Sequence, residues 1–78
     1  MLIKFTKTAE NARILRGVSI KEIEETIQNG IKTIQKDDTV NCSNNHILLS
    51  YDLKNNIHLI KMVGVKWLKD YVLFVKEM

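Results

Sequence analysis

Ser19-Ile20-Lys21-Glu22-Ile23-Glu24-Glu25-Thr26-Ile27-Gln28-Asn29-Gly30 decides how the rest of this chain is read. Ser19 and Glu22 form a capping box ahead of an apolar-periodic run. The hydroxyl accepts from a first-turn N–H that has no partner within the helix, and the glutamate reaches back to the N–H of the capping residue. Ile20, Ile23 and Ile27 then recur at helical spacing on one face, with Lys21, Glu24, Glu25 and Gln28 away from it. Asn29-Gly30 is a stop signal. The spacing predicts a helix over 20–29 that turns its isoleucines to a core.

Toward the N-terminus, Gly17 is a natural end for a preceding helix, because glycine accepts the positive φ a helix needs to stop. That helix is expected over Ala9–Arg16, with Thr8 as its cap and Glu10 and Asn11 in its first turn. Before it, Leu2–Thr6 alternates Ile3 and Phe5 against Lys4 and Thr6, the pattern of a short strand.

Toward the C-terminus the period changes to two after Gly30. Strands are expected over Ile31–Lys36, Thr39–Cys42, His46–Asp52, Ile57–Val65 and Tyr71–Lys76. Turns fall at Lys36-Asp37-Asp38, Ser43-Asn44-Asn45, Leu53–Asn56 and Lys66–Asp70. A loop over Leu53–Asn56 sets Asp52 opposite Ile57. Tyr51 then faces His58, Leu49 faces Ile60 and Ile47 faces Met62, on one apolar surface where the helices should pack. The other surface holds Asp52, Ser50, His46 and Lys61 among Leu48, Leu59 and Val63, with Leu73 and Val75 added. A second face that is mixed instead of polar predicts a partner bound through the sheet, a homodimer or strong sheet curvature. The expected fold is α+β: a short N-terminal strand, two helices, then an antiparallel β-meander of about four strands, in a single domain over 1–78.

The chain has 78 residues, too few to bury a large core. Cys42 is its only cysteine, so an internal disulfide is excluded, and a lone thiol fits a reducing compartment. His46 and His58 are isolated and have no zinc-ligand spacing, so neither a metal nor another cofactor is expected. No apolar run approaches the roughly 20 residues of a membrane span, and no secretory signal opens the chain. A cytoplasmic protein with no membrane association is the expectation. Twelve basic residues against nine acidic give a net charge of +3. All the basic residues but Arg13 and Arg16 are lysines, and they are scattered. This balance permits nucleic-acid contact without requiring it.

Arg16-Gly17-Val18-Ser19, set between a strand–helix unit and a helix rich in Glu and Ile, resembles a small prokaryotic domain family related to the RelE-like and BrnT-like toxins. Ala9, Arg16, Gly17, Val18, Ser19, Glu22 and Ile23 carry the resemblance, which is confined at residue level to about Phe5–Gly30. The histidine that precedes the alanine in that family is Thr8 here. The family's mid-helix arginine is Ala12 here, and Arg13 is displaced by one position, about 100° around a helix. The resemblance implies a RelE-like fold and action on RNA or the ribosome, as a metal-independent endoribonuclease of toxin type or an inactive relative. It also implies an antitoxin as protein partner.

Such chemistry drives the RNA 2′-oxygen onto the adjacent phosphate. It needs a proton acceptor, a proton donor and cations around the developing charge. Arg16, His58 and Tyr71 are the candidate catalytic residues, with His46 a further proton-transfer candidate. Lys61, Lys66, Trp67 and Lys69 are the candidate RNA-binding residues, the tryptophan to stack a base. Each has a structural alternative: Arg16 as a helix-end charge, His58 as a packing partner of Tyr51, Trp67 as a core plug. No glycine-rich phosphate loop occurs, because Gly17, Gly30 and Gly64 are isolated. Glu24 and Glu25 are adjacent on a helix and point apart, so they make no catalytic pair. DNA reading by the second helix is disfavoured because its polar face is acidic and repels phosphate. The alternative to an RNA-directed enzyme is a non-catalytic protein-interaction module.

Overall fold

A computed structural model describes residues 1–65. The expected α+β order is present: β1 (Leu2–Phe5), α1 (Lys7–Arg16), α2 (Ile20–Asn29), β2 (Ile31–Ile34), β3 (Val40–Asn44), β4 (Ile47–Lys54) and β5 (Ile57–Val65). The five strands form one mixed sheet in the order β1-β5-β4-β3-β2. β2 to β5 are the antiparallel meander. β1 joins it in parallel beside β5, with Ile3 opposite His58 and Phe5 opposite Ile60. The two helices carry the chain from β1 at one edge to β2 at the other, and the meander then returns to set β5 beside β1. The strand expected over Tyr71–Lys76 lies outside the described residues.

α1 begins one turn's edge earlier than the sequence reading places it. Thr6, not Thr8, is the cap, and its hydroxyl accepts from the Ala9 N–H at 3.2 Å. The helix ends in a Schellman arrangement. Gly17 has φ 69°, its N–H reaches the Ile14 carbonyl, and the Val18 N–H reaches the Arg13 carbonyl at 2.9 Å. The capping box of α2 is complete: Glu22 N–H donates to Ser19 Oγ at 3.0 Å and Ser19 N–H donates to Glu22 Oε1 at 2.9 Å.

Both helices pack on one face of the sheet, α1 over β5 and β1, α2 over β3 and β4. The core between them holds Ala9, Val18, Ile23, Ile27, Cys42, Ile47, Leu49, Tyr51, Ile60 and Val63. Ile20, expected in that core, is 43% exposed. Thr26 is instead buried beside Ile23 and Ile27: it is 1% exposed and satisfies its hydroxyl by donating to the Glu22 carbonyl at 2.8 Å. Gly30 closes α2 with φ −77°, so it is not needed for a left-handed turn. It is needed for space: a Cβ there would meet the Thr26 carbonyl oxygen, and Cys42 Sγ and Ser43 O at 2.7 Å.

The β4–β5 hairpin departs from the expected register in two places. Its loop is Asn55-Asn56, both at positive φ (52° and 65°), and Lys54 faces Ile57. Asparagine tolerates the left-handed region, so the two-residue turn is accessible where a four-residue loop over Leu53–Asn56 is expected. Farther along, Tyr51 pairs with Ile60 but Ser50 pairs with Met62. Lys61 is therefore the extra residue of a β-bulge. The bulge reverses the alternation of β5. Val63, expected outside, is 2% exposed in the core, and Met62, expected in the core, is 44% exposed on the other face.

Candidate functional site

Strand parity now defines the sheet face opposite the helices. β1 contributes Leu2 and Lys4, and β5 contributes Ile57, Leu59, Lys61, Met62 and Gly64. β4 adds Leu48, Ser50, Asp52 and Lys54, β3 adds Asn41 and Ser43, and β2 adds Ile31 and Thr33. No described element covers this face.

Among the described residues, two shallow cavities lie on it. One, of about 330 Å³, lies over the β2–β5 part and is lined by Ile31, Thr33, Ser43, Leu48, Ser50 and Met62 among others. It carries no charged lining residue, and its polar groups are partly satisfied by one another: Ser50 Oγ donates to Asn41 Oδ1 at 2.7 Å. The second, of about 240 Å³, lies toward β1 and is lined by Lys4, Asp52, Lys54, Asn55, Ile57 and Leu59.

Asp52 is engaged. Lys61 Nζ approaches its Oδ1 at 3.5 Å and donates to Thr39 Oγ1 at 3.3 Å, while the Thr39 hydroxyl donates to the same carboxylate oxygen at 3.3 Å. Thr39 is held by the preceding turn, where its N–H donates to Asp37 Oδ1 at 3.1 Å. That N–H and then the Thr39 hydroxyl hold the Asp37 carboxyl below the usual aspartate range. The bulge is what turns Lys61 into this cluster. Asp52, Lys61 and Thr39 thus form one polar node near the centre of the outer face, with Lys4 and Lys54 beyond it.

Of the sequence-predicted residues that are described, Lys61 belongs to this node, and Arg16 and His58 do not. Arg16 is exposed at the C-terminal end of α1, on the helical side of the sheet. Lys61 projects from the opposite side, so the sheet stands between these two cations. His58 belongs to the helical side. Its ring lies 5.1 Å from that of Tyr51 between centroids, tilted by 57°, and Nδ1 is 3.4 Å from the Leu2 carbonyl oxygen. The contact is diagonal, because Tyr51 pairs directly with Ile60 and His58 with Leu53. Tyr51 is 2% exposed, and burial pushes its phenol up from the ordinary value. His46 acts electrostatically on Glu22, whose carboxyl is lowered chiefly by the Ser19 N–H. Tyr71, Lys66, Trp67 and Lys69 lie outside the described residues. Among the described residues no group of three or more His, Cys, Asp or Glu could hold a metal ion.

Arg13 has a role the sequence reading did not assign. Its Nη2 donates to Glu10 Oε1 at 2.6 Å, its Nη1 donates to the Val18 carbonyl at 3.1 Å, and the guanidinium stands 5.6 Å from the Phe5 ring centroid. It ties β1, α1 and the turn into α2 together. Its spacing to Glu10 was the available signal. Lys4 and Lys54 were also overlooked as site residues. Their signal was strict alternation with Ile3, Phe5 and Leu53, which sets them on the outer face.

No protein-family model, no curated protein and no solved structure matches the chain.

Proposed function

We propose that this protein is a non-catalytic interaction module whose outer sheet face docks a partner polypeptide. At the β1 end the partner is an acidic segment flanked by apolar residues. The observation that carries the reading is the composition of that end. Lys4 and Lys54 line a shallow cavity with Ile57 and Leu59, and the one acid lining it, Asp52, is already engaged by Lys61 and Thr39. The unspent charge is positive, and extended backbone flanked by carboxylates is complementary to it.

The same lysines supply the second reading, an RNA-directed protein of RelE-like type. They would hold phosphates through counterion release. Against cleavage stands the separation of Arg16 from Lys61 by the sheet. Against base stacking on the outer face stands the placement of Phe5, Tyr51 and His58 on the helical side.

Selection from a displayed peptide library on the purified protein separates the two. Enrichment of acidic, apolar-flanked peptides that is lost in a Lys4→Glu/Lys54→Glu variant supports the interaction module. In parallel, RNA is incubated with the protein in EDTA, with and without ribosomes. Cleavage that depends on Arg16 or Lys61 would replace the interaction reading with the enzymatic one.

A further inference from the structure

β2 forms one edge of the sheet. It is paired to β3 on one side, and among the described residues nothing pairs with its other side. The Gln35 N–H donates to the Thr39 carbonyl, so in this ladder the odd-numbered residues turn their backbone groups to β3. The N–H and C=O groups of Lys32 and Ile34 therefore point out of the sheet. Ile31 is 78% exposed on the outer face, and Ile34 is 70% exposed on the helical face, where α2 packs over β3 and β4. A partner lying on either face would cover one isoleucine and leave the other. A strand added at the edge covers both and bonds the outward backbone groups as well. Lys32, the one charged residue of the strand, turns its Nζ back toward the Gly30 carbonyl at 3.4 Å.

We propose that the added strand is β2 of a second copy of this chain, antiparallel about a two-fold axis at Thr33. Such an axis must pass where a residue meets its own copy. At Lys32 it would set two lysines directly opposite, and at Ile34 it would set Lys32 opposite Lys36 of the second copy. At Ile31 it would leave Ile34 with no strand opposite. At Thr33, Lys32 faces Ile34 of the second copy, and each outward N–H and C=O of the strand finds a partner with no like charges opposed. Lys36 then lies opposite Gly30 of the second copy, at the C-terminal end of α2. That helix has no basic residue in its own last turn, and a cation is favoured there. Charge also selects this edge over β1. The cavity that Ile31 and Thr33 line has no charged residue, so two chains of net charge +3 meet here without local repulsion. Pairing through β1 would bring Lys4 of both copies together. Strands of four residues are far below the roughly 20–30 residues a side of a stable interface. The association is therefore weak and driven by concentration, and it leaves the lysine end of each copy open.

A disulfide across the axis traps such a dimer. Thr33 takes a non-hydrogen-bonded position of the new pair, where Cα atoms stand about 4.5 Å apart, a span a disulfide accepts. The two copies of Ile31 stand roughly 14 Å apart in the same register, beyond any disulfide. Both positions are exposed, so neither substitution disturbs the core. Full-length Thr33→Cys and Ile31→Cys are oxidised with copper phenanthroline at high protein concentration and followed on non-reducing gels. The wild type controls for Cys42, which is buried. Thr33→Cys is expected to link at least about ten times faster than Ile31→Cys. Adding Ile34→Pro should abolish the difference. Proline is tolerated there because the Ile34 N–H bonds nothing within the sheet, and circular dichroism verifies the fold. In the wild type, the Lys32 and Ile34 amides should exchange more slowly in concentrated than in dilute protein. Equal linking at the two cysteine positions overturns the proposal. So does exchange at those amides that ignores concentration; slow exchange in dilute protein would assign the edge to another segment of the same chain. Lys4→Glu/Lys54→Glu leaves the linking unchanged, so self-association and the docking of an acidic partner are read independently.

Discussion

Arg13 and Val18 bond each other twice. The Val18 N–H donates to the Arg13 carbonyl at 2.9 Å, and Arg13 Nη1 donates back to the Val18 carbonyl at 3.1 Å. The first bond is the Schellman closure of α1, and the second fixes the direction in which the chain enters α2. Replacing Arg13 by Ala removes a charge-assisted hydrogen bond and leaves the Val18 carbonyl short of a partner, at a cost of about 2 kcal/mol. Urea denaturation followed by circular dichroism measures this. Arg13→Lys should recover little of the loss, because a point charge cannot serve Glu10, Val18 and the Phe5 ring from one plane. Glu10→Ala should cost less, about 1 kcal/mol, since that side chain is half-buried and Arg13 keeps its bond to Val18.

Gly30 and Gly64 should respond in opposite ways to the same methyl group. At Gly30 a Cβ meets a carbonyl oxygen, a sulfur and a second carbonyl oxygen, so the end of α2 must move away from β3. Gly30→Ala is expected to destabilise by about 2 kcal/mol or more. At Gly64 the nearest atom is Leu48 Cβ at 3.7 Å, an ordinary contact, and Gly64→Ala should be within about 0.5 kcal/mol of neutral. A pair of thermal melts decides this.

The Asn55-Asn56 turn offers a gain in stability. Both residues sit at positive φ, which costs a residue with a Cβ about 1 kcal/mol. Asn56→Gly relieves that cost at the position where glycine is most favoured in such a hairpin, against a smaller loss to unfolded-chain entropy. The expected net gain is about 0.5 kcal/mol, and Asn56→Val should move stability in the other direction.

Acid should weaken the fold through Glu22 and Asp37. Both carboxyls are held below their ordinary values, Glu22 first by the Ser19 N–H and Asp37 first by the Thr39 N–H. A lowered folded-state pKa means that the ionised form is favoured by folding. The contribution is present above the ordinary values, near 4.5 and 3.8, and is lost as pH falls through the depressed ones. Stability measured from pH 6 downward should therefore decline through about pH 4. Glu22→Gln should flatten part of that decline, and an unchanged slope in this variant would remove Glu22 from the account.

Cys42 should be silent toward thiol reagents in the folded chain. It is 2% exposed, lies 3.0 Å from the Thr26 carbonyl oxygen as a donor, and is raised in pKa by burial. The neutral thiol is thus favoured, and the nucleophilic thiolate is suppressed. Alkylation rates should follow global unfolding across a denaturant series. Fast labelling in native buffer would mean that the α2–β3 contact opens locally.

Much of the local architecture was legible because its signals lie within a few residues. Ser19 and Glu22 needed only each other to announce the start of α2, and Gly17 needed only its missing Cβ to end α1. The cap of α1 was misplaced by two residues because Thr6 and Thr8 offer the same hydroxyl. Only the position of β1 decides which of them meets the Ala9 N–H.

The candidate site was legible in a different way. Alternation along β4 correctly set Ser50 and Asp52 on the outer face, and the mixed character of that face was evident from Leu48 and Leu59. The residues that meet across it were not. Asp52 and Lys61 come from β4 and β5 and Thr39 from the turn before β3, and Arg16 shares no side of the sheet with Lys61, although nothing in the linear spacing separates them.

The sequence by itself determined the order of helices and strands, the capped boundaries of α2 and the two-fold period of the meander. These are set by backbone groups and side chains near in the chain. Only the tertiary structure decided the parallel seat of β1 beside β5 and the bulge at Lys61. A period of two has no way to signal its own interruption. The extra residue is accepted because it lets Ile60 and Val63 both reach the core under α1 and α2 while Lys61 turns out to Asp52 and Thr39, and that balance exists only once the strands are paired.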